Sequence, residues 1–316
     1  MKKILVTGAA GFIGFHLSKS LLVDGYEVLG IDNINDYYSP KLKQDRLDQL
    51  ILHKNFKFEK IDIMNRESLF KSFHSFKPNK VVNLAAQAGV RYSIENPYAY
   101  IDSNLVGFLN IIELCRRNNV EGLIYASSSS VYGGNSKLPF SVEDEIKNPI
   151  SLYAITKHTN ELIAHSYSDL YGMNTTGLRY FTVYGPWGRP DMAYMIFTKK
   201  ILEGNPISVF NNGKMKRDFT YIDDIISGTR SAIDKNYNNE IFNLGNHKSE
   251  QLMDMISLIE KEVGKKAYID FQPMQLGDVQ ETFADIDYST KKLNFYPKVS
   301  IKEGIRKFIN WYNQYN

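Results

Sequence analysis

At 316 residues, with 43% hydrophobic and 23% charged side chains, the chain has the make-up of an ordinary globular protein of about two domains. Its 38 basic residues nearly balance 35 acidic ones, and the remaining +3 argues against a protein that coats nucleic acid or another polyanion. A single cysteine, Cys115, excludes an internal disulfide and any multi-cysteine metal site, and fits a reducing compartment.

The opening Met1-Lys2-Lys3 and the apolar run behind it have the outline of a secretory signal. Gly8, Gly11 and Gly14 break that run, however, and no Ala-x-Ala site follows. No stretch reaches the ~20 apolar residues of a membrane span, so the chain reads as cytoplasmic and not membrane-bound. Strands at 4–7, 27–31, 56–62, 80–84, 122–126 and 175–179 alternate with helices at 12–24, 66–76, 104–118 and 152–171. That alternation predicts an α/β fold, a Rossmann-type doubly wound parallel sheet with ligands at the carboxyl ends of its strands. After residue 180 the texture changes to a turn-rich loop at 184–190 and shorter strands at 207–210, 241–244 and 267–271. Residues 1–180 therefore read as a dinucleotide-binding domain, and 181–316 mostly as a smaller α/β substrate-binding domain. A segment near 219–246 is expected to return to the first. Ile301, Ile305, Phe308, Ile309 and Tyr312 recur at helical spacing and predict an amphipathic helix at 301–312.

Gly8-Ala-Ala-Gly11-Phe12-Ile13-Gly14 lies between the first strand and the first helix. The first glycine of such a loop makes a tight turn, the second lets backbone approach a pyrophosphate, and the third lets helix pack on sheet. The amides at the helix start then face the anion. Asp32 follows 18 residues after Gly14, at the end of the second strand, with Asn33 beside it. A carboxylate there accepts the ribose hydroxyls and repels a 2′-phosphate, which favours NAD over NADP. Asp62-Ile63 closes the third strand, where the carboxylate meets an adenine edge.

Ser127-Ser128-Ser129-Ser130 follows the fifth strand. Tyr153 and Lys157, four apart on a predicted helix, project from one face. An ammonium beside a phenol favours the phenolate, which makes a tyrosine usable as a base near neutral pH. A serine hydroxyl can hold the same substrate oxygen. Six scattered histidines form no metal-ligand spacing, so no metal is expected.

With these motifs, and with Asn83-Leu-Ala-Ala-Gln87 and Arg179-Tyr-Phe-Thr-Val-Tyr-Gly-Pro186, essentially the whole chain resembles the extended short-chain dehydrogenases/reductases, in particular the NAD-dependent sugar-nucleotide epimerases. Ala88-Gly-Val-Arg-Tyr-Ser93, Gly185-Pro-Trp-Gly-Arg-Pro-Asp-Met192 and Gly213-Lys-Met-Lys-Arg-Asp-Phe-Thr-Tyr221 carry the resemblance on to the UDP-glucuronate 4-epimerases. The resemblance implies Ser128, Tyr153 and Lys157 as catalytic residues, with Tyr153 the base and Lys157 its modulator. It implies a tightly held NAD along Gly8, Gly11, Phe12, Ile13, Gly14, Asp32, Asn33, Asp62, Ile63, Leu84, Ala85, Ala86, Gln87, Tyr153, Lys157 and Tyr180.

For a UDP-sugar substrate it implies Arg217 on the diphosphate and Asp278 on the ribose or an arginine. Arg189 belongs in a loop facing the sugar, and Arg91 stands near a substrate carboxylate. Ser127, Ser128, Ser129 and Thr182 would grip that carboxylate, and Thr182 stands where many relatives carry asparagine. The implied reaction inverts C4 of UDP-glucuronate to give UDP-galacturonate through a transient 4-keto sugar. Epimerisation of another UDP-hexose or N-acetylated uronate, or decarboxylation of UDP-glucuronate, stays open. A 4,6-dehydratase needs an acidic pair where Ser129-Ser130 stand. The resemblance also implies a homodimer built by helices 104–118 and 152–171 as a four-helix bundle, and a role in supplying surface polysaccharide.

Overall fold

The computed structural model describes residues 2–275 and 277–315, so Met1 of the signal-like opening lies outside the described residues. β1 (Lys3–Thr7) turns through the glycine loop into α1 (Phe12–Val23). β2 (Glu27–Asp32), α2 (Pro40–Ile51), β3 (Phe56–Lys60), α3 (Arg66–Phe76) and β4 (Lys80–Asn83) follow. The apolar run of β1 is buried on both faces, as the strands of a covered parallel sheet are. Its side chains alternate: Ile4 and Val6 join the core that contains Phe15 and Leu17 of α1, while Leu5 joins the opposite core with Phe73 of α3.

Two short helices, α4 (Tyr92–Glu95) and α5 (Pro97–Tyr100), lead into a π-helical stretch over Ile101–Gly107 and then α6 (Phe108–Arg117). The helix expected at 104–118 is therefore two pieces, and the Asn104 side chain, in the π-helical one, bonds to Gln87 and Thr156 outside the helix. β5 (Gly122–Ser128) runs into a 3₁₀ turn over Ser129–Tyr132, and α7 (Leu152–Tyr171) precedes β6 (Thr175–Tyr180). The Ser151 hydroxyl caps α7 by accepting from the Ala154 amide, and Gly172 ends it at φ +65°. β3 stops at Lys60, two residues short of the sequence expectation. Asp62 sits in the loop beyond, where its carboxylate accepts from the Met64 amide.

The chain continues through β7 (Thr182–Tyr184), α8 (Ala193–Glu203), β8 (Ile207–Val209), β9 (Lys216–Arg217), β10 (Phe219–Tyr221), α9 (Ile222–Lys235) and β11 (Glu240–Leu244). It ends with β12 (Glu250–Gln251), α10 (Leu252–Val263), β13 (Ile269–Phe271), α11 (Asp287–Leu293) and α12 (Ile301–Tyr315). The main sheet is seven-stranded and parallel throughout, in the order β11-β6-β5-β4-β1-β2-β3. β11 pairs with β6 from Glu240 opposite Thr176 to Leu244 opposite Tyr180. Three two-stranded ladders, β7 with β10, β8 with β13 and β9 with β12, lie outside that sheet. The stripe Ile301, Ile305, Phe308, Ile309 and Tyr312 of α12 is buried. Strand order reverses between β1 and β4, and such a switch point opens a crevice at the carboxyl ends of the strands.

Candidate active site

The crevice is a cleft of about 1370 Å³, open mouth included. Gly8 forms its floor at φ +71°, with its amide donating to the Ile31 carbonyl at 2.7 Å. A Cβ on Gly11 would stand 2.9 Å from the Gly8 carbonyl oxygen, and one on Gly14 would overlap that oxygen. All three glycines are thus dictated by contact, and the backbone they expose fits a pyrophosphate. At the end of β2, the Asp32 carboxylate accepts from the Ala10 amide at 3.1 Å and the Ile34 amide at 2.8 Å. Burial pushes its pKa up against these bonds. Asn33 donates to Asp62 at 2.9 Å, so the residue beside Asp32 and the carboxylate expected at the adenine edge share one hydrogen bond.

The other end of the cleft holds the titratable groups. α7 carries Tyr153 and Lys157 one turn apart. Ser128 ends β5, and its Oγ accepts from the Ser130 amide at 3.2 Å and the Ser130 hydroxyl at 2.8 Å. Burial pushes the Tyr153 phenol up, while a hydrogen bond with Ser128 and the charge of Arg189 pull it down. The sequence reading assigned that pull to Lys157. Its ammonium instead donates to the Ala126 carbonyl at 2.9 Å and lies 5.9 Å from the Tyr153 ring centroid. Burial lowers Lys157 itself to about 8, with Glu161 opposing.

All sixteen residues expected to hold the cofactor line this cleft, as do Ser127, Ser128 and Arg189. Ser127 is turned away from a ligand, because its hydroxyl donates to Glu161 at 2.5 Å. Arg189 pairs with Asp191, which also accepts from the Tyr37 hydroxyl at 3.2 Å. Arg91, Ser129, Thr182, Arg217 and Asp278 are not on that wall. Arg217 donates to Asp278 at 2.9 Å, and Arg91 reaches the other oxygen of Asp278 at 3.6 Å while its guanidinium lies over Phe210. Arg91 thus joins the cluster expected at the diphosphate.

Sequence reasoning missed three positions. Asn104 accepts from the Gln87 amide and donates to the Gln87 carbonyl and to Thr156, fixing the cleft wall against α7. Arg46, fully buried, donates to the carbonyls of Ala10, Trp187 and Gly188 and so ties the glycine loop to the loop carrying Arg189. Lys43 lines the cleft beside Asp32. A polar residue inside an otherwise apolar helical stripe was the available signal for each.

Residues 4–245 match the NAD dependent epimerase/dehydratase family. The chain belongs to that family. A UDP-glucuronate 4-epimerase from Thermodesulfobacterium geofontis is 46% identical over 308 residues, covering 97% of this chain and 95% of its own. Protein CapI of Staphylococcus aureus is 50% identical over 331 residues, 99% of each chain. The crystal structure of UDP-glucuronic acid 4-epimerase from Bacillus cereus, in complex with UDP-glucuronic acid and NAD, superposes with a TM-score of 0.94 at 37% identity, covering 99% of this chain and 100% of that one. NAD is the cofactor of this epimerase/dehydratase, and the glycine cradle with Asp32 at its end fits it. Among the described residues no helix is long and apolar enough to cross a membrane, and no three His, Cys, Asp or Glu side chains gather to hold a metal ion.

Proposed function

We propose that the protein is an NAD-dependent UDP-glucuronate 4-epimerase. The observation that carries this reading is the meeting of Ser128, Tyr153 and Lys157 in one cleft with the glycine loop, in a chain 46% identical to a UDP-glucuronate 4-epimerase along nearly its full length. Bound NAD supplies a reversible hydride acceptor. The chain supplies the rest. Tyr153 takes the proton of the C4 hydroxyl and later returns it, and Ser128 holds the same oxygen. Lys157, anchored on the Ala126 carbonyl, would hold the nicotinamide ribose of bound NAD. Arg217 grips the diphosphate with Asp278 setting its guanidinium, so the sugar turns about a fixed anchor. Arg189 lies at the sugar end of the cleft.

A 4-keto uronate is a β-keto acid and loses CO₂ when its carboxylate aligns with the ketone. Ser129 and Thr182, expected to hold the carboxylate out of that alignment, stand off the cleft wall, which leaves Ser128 as the serine of that run with its hydroxyl at the reacting end. Exposed Ile101, Val106 and Leu109 ahead of and on α6, with Ile155 and Leu162 on α7, support a homodimer through a four-helix bundle. The family resemblance supports a cytoplasmic enzyme supplying polysaccharide synthesis. The test is an NMR time course of the purified protein with UDP-glucuronate and no added NAD. UDP-galacturonate is the expected product. A UDP-pentose would move the assignment to a decarboxylase, and an unchanged substrate to another UDP-sugar.

A further inference from the structure

The adenosine end of the cleft carries a cation as well as its acid. Lys43 projects from α2 onto the cleft wall and is 4% exposed. Its ammonium donates to the backbone and side-chain oxygens of Asn35, each at 2.6 Å, and lies 4.5 Å from the centre of the Tyr38 ring. Both oxygens are neutral, and among the described residues no carboxylate lies within 4.0 Å of the ammonium. The charges that act on it are the carboxylates of Asp32 and Asp36, which favour the ammonium, and the guanidiniums of Arg46 and Arg189, which oppose it.

Asp32 and Lys43 therefore line one cleft with opposite chemistry, close enough for the charge of one to act on the other. A carboxylate accepts the two hydroxyls of a ribose and repels a 2′-phosphate. A buried ammonium tethered only by neutral acceptors is a ready donor to a phosphate oxygen. We propose that Lys43 is a second determinant of cofactor choice, a 2′-phosphate anchor held silent by the Asp32 carboxylate. Neutralising Asp32 leaves the wall cationic, and the chain then admits NADP.

This inference rests on the reading of the cleft as the NAD site, so the experiment tests both. NADH and NADPH are titrated into nucleotide-stripped protein, with binding followed by energy transfer from tryptophan. Wild type, Asp32→Asn, Lys43→Met and the double variant are compared. Wild type is expected to prefer NADH. Asp32→Asn is expected to tighten NADPH binding about tenfold or more, the worth of one charged hydrogen bond. Adding Lys43→Met to Asp32→Asn is expected to remove that gain and leave NADH binding nearly unchanged. Lys43→Gln, which keeps a donor toward Asn35 without the charge, replaces Lys43→Met if the latter does not fold. An Asp32→Asn protein with unchanged preference, or a double variant binding NADPH as tightly as Asp32→Asn, overturns the proposal while the cleft assignment stands. A folded wild type that binds neither dinucleotide overturns both.

Discussion

The hydroxyl of Ser127 donates to the carboxylate of Glu161 across 2.5 Å, and this bond fastens the end of β5 to the helix that carries Tyr153 and Lys157. Glu161 also takes two 2.8 Å bonds from Arg179 of β6, and Arg179 reaches the Tyr132 hydroxyl, which donates to Asn243 of β11. One buried network thus joins three strands and α7 behind the reacting groups.

Breaking that network is costly, because Arg179 is left as an unpaired buried charge. Glu161→Gln is expected to lower stability by about 3–5 kcal/mol, read as a fall in the denaturant midpoint at pH 7.5. The effect depends on pH. The Arg179 guanidinium and the Ser127 and His158 bonds hold the Glu161 carboxyl at about 2, below its value in the unfolded chain. The stabilisation is therefore complete above about pH 5 and fades as pH falls toward 2. Melting temperatures of wild type and variant should converge between pH 5 and pH 3, and a constant gap across that range would refute the assignment.

Tyr153→Phe removes the proposed proton acceptor and leaves the ring. Turnover of UDP-glucuronate is expected to fall by about 10²–10⁴-fold, with the NAD content of the purified protein unchanged. Arg189 acts on the same phenol through its charge. Taking that charge away raises the phenol pKa, so Arg189→Met should move the rising limb of the pH–rate profile to higher pH. A profile that keeps its position while kcat falls would make Arg189 a substrate contact only.

The sheet, the glycine loop and the Ser128, Tyr153 and Lys157 set were legible because each repeats a local rule: short apolar strands alternating with helices, fixed glycine spacing, one helical turn. What the sequence hid is polar and long-range. Helix α2 escaped notice because Lys43 and Arg46 are buried on the face that holds Leu42, Leu47 and Leu50, which blurs its apolar stripe. Ser127 belongs to a run of four serines, and nothing local says that it turns to Glu161, 34 positions on. Arg91 reads as a contact for a substrate carboxylate, whereas in the fold Asp278, from the far end of the chain, stands between it and Arg217.

Two glycine substitutions separate contact from conformation. At Gly14 an added methyl overlaps the Gly8 carbonyl, so the loop must open. Gly14→Ala is expected to yield folded protein with little bound NAD, measured as the nucleotide released on denaturation. Gly172 sits at φ +65° at the end of α7 with nothing within 4 Å of an added Cβ. Gly172→Ala should cost only about 1 kcal/mol of stability and keep its NAD. Equal NAD loss in both would show that the glycine loop is not special.

The Asp218 carboxylate, next to Arg217, the residue proposed to grip the diphosphate, accepts from the amides of Asn246, His247 and Ala284 and from the Thr220 hydroxyl. It gathers the end of β11, the 284 segment and β10 around Arg217. Both carboxylate oxygens are committed to donors: Oδ1 takes Asn246 and Thr220, and Oδ2 takes His247 and Ala284. In Asp218→Asn one of the two positions becomes an NH₂ facing N–H groups whichever way the amide turns, and those buried donors go unsatisfied. A loss of about 2–3 kcal/mol is expected. Arg217 loses its fixed backbone with it, so KM for the UDP-sugar should rise more than kcat falls. Unfolding curves give the first quantity and initial rates the second. A variant with wild-type stability would mean that the donors find other acceptors, and a fall in kcat with KM unchanged would place Asp218 outside the support of the nucleotide clamp.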